Sequence, residues 1–337
     1  MNNEATVVKN AGSHYLLAHL PQWDPFPAVL RGRIRLKGSG ITNPVAVGDV
    51  VRYSIVDGAA TIDEVLPRRN YVIRRSTNLS RQAHIIAANV DRAYIIVSLC
   101  FPEVKLPFLD RLLVTCEVYG IPATIVLSKV DMYRDFAAEQ IEAFHRIYEG
   151  AGYEVLETSA REGLGVDELR EACRGKVNLL SGESGVGKSS LIKALDPSLE
   201  PKTGEISEVH LQGKHTTSLY EMYPLSAAAV PPRTKSFSPE KRSKNFCPTS
   251  DAAADEPLGF VIDTPGLRGF GLVDLEKEEI AKYFPEMLRA SADCRFTPCT
   301  HTHEPGCAVK VAVEAGEISA ERYNSYLGML EEDRKFR

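Results

Sequence analysis

A segment past the middle of the chain has the residue types of a phosphate-binding loop. GESGVGKS, Gly182 to Ser189, fits the pattern G-x-x-x-x-G-K-[ST] and stands between the apolar run KVNLL and the amphipathic run SLIKAL. The glycines let backbone amides turn inward around phosphate oxygens, Lys188 brings a positive charge to the terminal phosphates, and the Ser189 hydroxyl is suited to hold Mg²⁺. We therefore predict a nucleotide-phosphate site, with Lys188 also catalytic, formed by Gly182, Glu183, Ser184, Gly185, Val186, Gly187, Lys188, Ser189 and Ser190.

Two earlier segments have residue types that can read a purine base. SKVD follows the apolar run PATIVL, where a base-reading motif [NT]-K-x-D would stand. The carboxylate of Asp131 can accept hydrogen bonds from the ring and exocyclic nitrogens of guanine, and adenine offers no matching pair of donors. TSA, at the end of the next strand, offers backbone amides to the guanine carbonyl. The predicted guanine site comprises Ser128, Lys129, Val130, Asp131, Thr158, Ser159 and Ala160.

Two later segments are expected to hold the metal and the terminal phosphate. DTPG ends another apolar strand, so Asp263 is predicted to hold Mg²⁺ through water, and the Gly266 amide to contact the terminal phosphate and act in catalysis. HTT lies between the phosphate loop and DTPG, where a first switch segment supplies a threonine to the metal. We favour Thr217 over Thr216 for this role, which gives the predicted magnesium set Ser189, Thr217 and Asp263.

The order of these motifs is itself informative. In ordinary guanine-nucleotide switches the phosphate loop comes first, whereas here the base-reading segments precede it and the switch segments follow it. Ligands bind outside the carboxyl ends of parallel strands, so all the segments can still meet at one edge of a sheet. The sequence therefore predicts a circularly permuted GTPase, an arrangement tolerated because domain termini lie at the surface and often close together. The chain that leaves DTPG runs into a Cys/His segment, so we expect movement there to pass on covalently.

That C-terminal segment, CRFTPCTHTHEPGC, has the residue types of a structural zinc site. Three thiolates and an imidazole suit a closed tetrahedral ion, and four protein ligands argue against a catalytic zinc with an open water position. The spacing Cys-x4-Cys-x-His-x5-Cys differs from the common finger pattern, and His303 is an alternative to His301. The predicted ligands are Cys294, Cys299, His301 and Cys307.

The elements that must position these residues fall into three units. Residues 1–72 contain five short strands separated by turn residues, which is typical of a small barrel of the OB type. Residues 73–275 alternate apolar strands with amphipathic helices and predict a parallel sheet, interrupted by a Pro- and Ser-rich insertion at 227–257. Residues 276–337 contain the Cys/His cluster and helical patterns. The predicted fold is therefore a β-barrel, a central α/β P-loop domain and a C-terminal helical zinc-binding domain.

Composition narrows the possible partners. The net charge of −5 gives no global attraction to nucleic acid, so RNA contacts would need a local basic patch. RGRIRLK, in the barrel region, places four basic residues on one strand face, which fits either a solvated face or an RNA-binding face. No apolar run reaches the roughly 18 residues that span a bilayer, and the N-terminus lacks a signal pattern, so we expect a cytoplasmic, membrane-free protein.

Taken together, the motifs resemble one family. The permuted order, RRSTNLSRQAHIIAANVD, GESGVGKSSLI, TGEIS followed by GKHTT, DTPGLRGFGL and the Cys/His spacing are similar to the small-subunit-dependent GTPases of the RsgA type. The resemblance implies a monomer that binds GTP, Mg²⁺ and one zinc ion. It also implies binding to the small ribosomal subunit and its 16S rRNA near the decoding region late in assembly. Hydrolysis on the subunit would then release the GDP form.

Two residues and one insertion depart from the family pattern. Ser128 stands in place of Asn, whose amide ties the base loop to the phosphate loop, so we expect reduced nucleotide affinity with guanine preference kept by Asp131. Ser218 replaces a threonine, and the 227–257 insertion is longer than expected. Leu267 follows DTPG where many GTPases have a water-orienting glutamine. We therefore hypothesise that His215, or a group of ribosomal RNA, positions the attacking water.

Two other functions fit parts of the sequence. An RNA-binding assembly chaperone that uses nucleotide only to stabilise one conformation would show little turnover. An ATP-dependent kinase could use the same phosphate loop, but Asp131 argues against it.

Overall fold

The N-terminal unit is a closed five-stranded barrel, as predicted. The structure is a computed structural model that describes residues 3–12, 14–30, 43–75, 83–199, 220–227, 256–263 and 275–335. The barrel strands are β1 (Asn3–Ala11), β2 (His14–Ala18), β3 (Phe26–Leu30), β4 (Val50–Val56) and β5 (Ala59–Val65). They pair in the order β1-β2-β3-β5-β4, and β4 pairs back onto β1. Alternate side chains such as Val7, Leu17 and Ile62 fill the interior. The basic stretch RGRIRLK lies outside the described residues.

A two-stranded hairpin follows the barrel, formed by β6 (Tyr71–Arg75) and β7 (Ala83–Ala88). It spans the boundary at residues 72 and 73 that the sequence pattern suggested. The Asn43 side chain exchanges two hydrogen bonds of 2.8 Å with the backbone of Ile85. The hairpin is thus fastened to the segment that precedes β4.

The central unit is a twisted sheet with the predicted strand and helix alternation. Its strands are β8 (Arg92–Val97), β9 (Ala123–Leu127), β10 (Glu154–Glu157), β11 (Val177–Gly182), β12 (Glu221–Leu225) and β13 (Gly259–Asp263). Their spatial order is β10-β9-β8-β11-β13-β12, and only β12 runs antiparallel to its neighbour. The base-reading strands β9 and β10 therefore lie on one side of the phosphate-loop strand β11, and β13 lies on the other.

Helices cover both faces of this sheet. They are α1 (Leu106–Val118), α2 (Ala138–Ala151), α3 (Val166–Ala172) and α4 (Lys188–Leu195). Ile95 faces the core that contains α1 and α2, whereas Ile96 faces the core that contains α3 and α4, as alternation along a strand requires. The amphipathic runs FLDRLLVTCEVYG, AAEQIEAFHRIYEGAG and SLIKAL predicted α1, α2 and α4, whereas the short α3 was not predicted.

The C-terminal unit is helical. It contains α5 (Lys277–Ile280), a 3₁₀ turn (Ala281–Tyr283), α6 (Pro285–Ser291), α7 (Ala308–Glu314) and α8 (Ala320–Lys335). Its core is built around Phe284, Met287 and Tyr326, and it includes Val114 of α1. None of the helices in the described part of the chain is long and apolar enough to cross a bilayer.

The barrel and the central sheet are joined edge to edge. β1 pairs with β12 at Lys9 and Glu221, whose side chains form an ion pair of 2.7 Å. The ring of Trp23 lies 5.9 Å from that of Phe260 on β13. The barrel therefore packs on the β12–β13 side of the central sheet.

Candidate nucleotide site and metal centre

The predicted phosphate and base segments meet at one edge of the sheet. The parallel strands β9, β10, β11 and β13 end at Leu127, Glu157, Gly182 and Asp263, and each is followed directly by, or ends with, a predicted site residue. This common carboxyl edge is where α/β sheets bind ligands. The geometry thus unites motifs that are far apart in the chain.

The phosphate loop has the backbone shape that its glycines predict. Gly185 and Gly187 have φ values of +84° and +99°, which side chains with a Cβ rarely adopt. A Cβ at Gly182 would lie 2.5 Å from the carbonyl oxygen of Ile96 on β8, so only glycine allows this close approach of strands. α4 begins at Lys188, within the last residues of the motif, and so directs its N-terminal amides toward the loop.

The charged groups predicted for phosphate and magnesium lie together. The Lys188 ammonium is 3.0 Å from a carboxylate oxygen of Asp263, and both side chains are largely buried. β11 and β13 are neighbours, which brings the lysine that follows one strand to the aspartate at the end of the other. Ser189 is the next residue of α4.

The base-reading loop is held against the phosphate loop by Ser128. Its hydroxyl lies 2.5 Å from the Val186 carbonyl oxygen and 2.9 Å from that of Val97, and the residue is 4% exposed. Serine thus supplies a contact between the two loops at the position where the family pattern has asparagine. Whether nucleotide affinity is reduced stays a prediction.

Lys129 and Tyr133 complete the loop. Lys129 adopts a left-handed φ of +59°, and its ammonium donates to the carbonyl oxygens of Gly185 and, at 2.7 Å, Phe101. A Cβ at Gly187 would lie 3.3 Å from the Lys129 side chain, so the lysine chain passes directly over this glycine. The Tyr133 hydroxyl donates to the Ser128 carbonyl oxygen at 2.8 Å, and burial raises the pKa of Tyr133, which keeps it a donor. The sequence did not indicate Tyr133, because it lies outside the base-reading motif and its burial cannot be inferred from the local pattern.

The second base segment offers fewer amides than its sequence suggests. The Thr158 amide donates to Leu127 at 2.7 Å, and the Ser159 amide donates to Leu164 at 3.0 Å. Both residues are buried, whereas Ala160 is partly exposed. Among the three, Ala160 is therefore the residue best placed to offer an amide to a base. Asp131 lies on the short 3₁₀ turn Val130–Met132 and is also partly exposed.

Three predicted residues lie outside the described residues. They are His215, Thr217 and Gly266, and the roles assigned to them stay predictions. The same holds for the 228–255 part of the insertion, for TGEIS and for Ser218.

The Cys/His segment forms a compact four-ligand cluster. The ligand atoms of Cys294, Cys299, His301 and Cys307 all lie within 4.8 Å of one another. His301 Nδ1 is 3.6 Å from the Cys294 sulfur and 3.4 Å from the Cys307 sulfur, and these sulfurs are 4.0 Å apart. His303 is exposed and contacts Thr302 instead. The geometry thus selects His301 over its alternative.

These separations fit a tetrahedral metal ion. Zinc–sulfur bonds of about 2.3 Å place two sulfurs about 3.8 Å apart in a tetrahedron. Burial, the largest cause, raises the pKa of the Cys299 thiol to about 12, with the neighbouring Cys307 and Cys294 adding to the rise. Burial also lowers the pKa of His301, which favours the neutral imidazole that a metal binds. Three crowded thiols and a neutral imidazole form a donor set that suits Zn²⁺, which binds the thiols as thiolates.

The loop around His301 is held by residues that the sequence reading did not single out. The Glu304 carboxylate accepts hydrogen bonds from the amides of Thr300 and Thr302, at 2.8 and 3.1 Å. From α8, the hydroxyls of Tyr323 and Tyr326 donate to the carbonyl oxygens of His301 and Thr300, both at 2.6 Å. These contacts fix His301 in its left-handed conformation, with a φ of +56°. Of these residues, Glu304 is the one that the sequence could have indicated, because it lies within the Cys/His run.

The strand order, the phosphate loop on the central strand and the base-reading loop that precedes it in the chain define a circularly permuted P-loop GTPase. Such a site takes GTP, GDP and Mg²⁺.

Comparison with known proteins identifies the family. The model of the RsgA GTPase family matches residues 65–230. "Small ribosomal subunit biogenesis GTPase RsgA 2" of Bacteroides thetaiotaomicron is 43% identical over 334 residues, which cover 98% of both chains. A Flavobacterium psychrophilum relative named "Small ribosomal subunit biogenesis GTPase RsgA" is 41% identical over 97% of this chain and 92% of its own length. The chain belongs to the RsgA GTPase family and is a GTPase.

Solved structures show the same architecture. A crystal structure of YjeQ from Thermotoga maritima matches with a TM-score of 0.74 and 29% identity, covering 98% of both chains. The structure of YloQ, described as a circularly permuted GTPase, matches with a TM-score of 0.68 and 25% identity, covering 100% of this chain and 96% of that chain. The predicted fold class and circular permutation are therefore confirmed.

Proposed function

We propose that this GTPase binds the small ribosomal subunit through 16S rRNA late in assembly, acts there as a checkpoint, and leaves after GTP hydrolysis. The observation that carries the proposal is the match to relatives named for small-subunit biogenesis, which extends over the barrel and the Cys/His unit as well as the GTPase core. We assign the contacts with the partner to those flanking units and GTP hydrolysis to the core. We place the protein in the cytoplasm as a monomer.

The three units divide the work. Residues 1–72 would contact RNA, residues 73–275 would bind and hydrolyse GTP, and residues 276–337 would hold one structural zinc ion through Cys294, Cys299, His301 and Cys307. Within the central unit, Lys188 would contact the terminal phosphates. Ser189, Thr217 and Asp263 would hold Mg²⁺ directly or through water. The Gly266 amide would contact the terminal phosphate, and Asp131 would read guanine.

The chemical step would depend on the partner. Leu267 cannot orient a water molecule by hydrogen bonding, so the free chain should hydrolyse GTP slowly. We propose that His215 or an RNA group positions the water on the subunit. If His215 is that group, a His215→Ala protein should bind GTP normally and lose most subunit-stimulated turnover. Full stimulated turnover in that variant would remove His215 from the mechanism.

The deciding experiment measures phosphate release by the purified chain with GTP, alone and with small subunits. Large subunits and ATP serve as controls. Strong stimulation by small subunits with GTP, but not with ATP and not by large subunits, supports the checkpoint function. Tight GTP binding to the chain on the small subunit without stimulated release would instead indicate a nucleotide-stabilised chaperone.

A further inference from the structure

A buried arginine reaches from the C-terminal unit into the GTPase unit. Arg322 of α8 is 1% exposed, and its Nη1 donates to Asp110 of α1 at 2.8 Å. Its Nε and Nη2 donate to the two oxygens of Glu286 on α6, at 2.8 and 3.1 Å. Both carboxylates are also buried. One guanidinium therefore joins helices of two units through buried, charged hydrogen bonds.

Aromatic rings surround this group. The guanidinium carbon lies 4.7 Å from the ring centroid of Phe284 and 5.8 Å from that of Tyr148 on α2. The Tyr148 hydroxyl donates to the same Asp110 oxygen at 3.1 Å. The contact therefore includes α2 as well as α1. Removing one partner from such a buried charged group is strongly destabilising, because it leaves the other charges uncompensated.

A second arginine of the C-terminal unit strengthens the attachment to α2. Arg289, one turn beyond Glu286 on α6, lies 3.2 Å from the Gly150 carbonyl oxygen and 3.3 Å from that of Ala151. These carbonyls belong to the last turn of α2, where helix carbonyls have no partner within the helix. α2 begins shortly after the base-reading loop, so the Cys/His unit is packed on the helices of the base-reading half.

We infer that Arg322 is an interdomain lock, which fixes the Cys/His unit in one orientation on α1 and α2 so that this unit and the base-reading half move as one body. The same helix carries Tyr323 and Tyr326, which hold the loop of His301. α8 therefore connects the metal centre to the base-reading half through folded contacts. The lock lies within the chain and involves no ribosomal partner.

Hydrogen exchange on the full chain with GDP bound tests the lock. Arg322→Met should speed amide exchange at least tenfold in peptides from α1 and the last turn of α2. Peptides from α4 and the barrel should keep the wild-type rate. Arg146→Met is the matched control, because Arg146 is an exposed arginine of α2 and should leave all these rates unchanged. Calorimetry should resolve a separate transition for the C-terminal unit in Arg322→Met but not in the wild type or in Arg146→Met.

A conservative variant keeps the test decisive if Arg322→Met does not fold. Arg322→Lys keeps the positive charge but lacks the planar fork that reaches both carboxylates, and it should still speed exchange in α1. Wild-type exchange at α1 and α2 in the folded Arg322 variant would overturn the inference. A uniform rise across all peptides would also overturn it, since that would indicate a general loss of stability rather than a local lock.

Discussion

The Ser128 hydroxyl gives a prediction whose size can be worked out from its surroundings. In Ser128→Ala, the Val97 carbonyl oxygen still accepts the Ser128 backbone amide at 2.8 Å. The Val186 carbonyl oxygen loses the hydroxyl at 2.5 Å, and Val186 is 3% exposed, so water does not readily replace it. An unsatisfied buried acceptor costs about 1 to 3 kcal/mol.

Most of this loss should appear in nucleotide affinity. Val186 belongs to the phosphate loop and Ser128 to the base-reading loop, and a bound nucleotide must contact both loops at once. A loss of 1 kcal/mol raises a dissociation constant about fivefold, and a loss of 3 kcal/mol raises it more than a hundredfold. We expect the Kd for GDP to rise at least fivefold in Ser128→Ala, with the preference for guanine over adenine unchanged.

Titration of a fluorescent GDP analogue measures this effect, and thermal unfolding without nucleotide measures any separate loss of stability. Ser128→Thr is the matched control, because it keeps the hydroxyl and should stay near the wild-type Kd. A folded Ser128→Ala protein whose Kd lies within twofold of wild type would refute the reasoning. The contact between the loops would then not contribute to binding.

The remaining predictions concern the base and the metal. Asp131→Asn should shift preference from guanine toward xanthine nucleotides, because the amide nitrogen donates a hydrogen bond where the carboxylate accepted one. Competition binding with GDP and XDP measures this preference. No shift would mean that Asp131 does not contact the base. Cys307→Ser removes one sulfur from the four-ligand cluster and should leave less than one equivalent of tightly held zinc by metal analysis, and the C-terminal unit should unfold at lower temperature. Full zinc content in that variant would exclude Cys307 as a ligand, and Cys116→Ser, a buried thiol of α1 outside the cluster, is the control.

The fold was predictable where a residue type has few structural alternatives. Gly185 and Gly187 indicated positive φ, and the structure has it at both positions. The apolar runs ending at Leu127 and Leu180 indicated buried parallel strands, because strands covered on both faces lack alternation. The motif order then determined which strands share an edge.

Contacts between units could not be predicted in this way. Arg322 lies in a helix whose pattern suggests an ordinary charged surface, and its partner Asp110 is 212 residues away. The sequence gives no sign that either side chain is buried, since buried charges depend on tertiary pairing rather than local pattern. The antiparallel strand β12 was missed for a related reason: its five residues include Pro224, which weakens a strand pattern, and it is specified by pairing with β13 and β1.

The packing also changes the expected route for coupling between the units. The permuted chain enters the central sheet at β8 and leaves it at β13, on opposite sides of the phosphate-loop strand β11. The barrel is linked by the chain to β8 but packs on β12 and β13, through the Lys9–Glu221 pair and Trp23. The Cys/His unit follows β13 in the chain but packs on α1 and α2 through Arg322. Each outer unit is thus connected to one half of the GTPase unit and packed against the other. A shift between the two halves of the GTPase unit must therefore strain both outer units. The nucleotide site is thus linked to them by packing as well as by the chain that leaves DTPG.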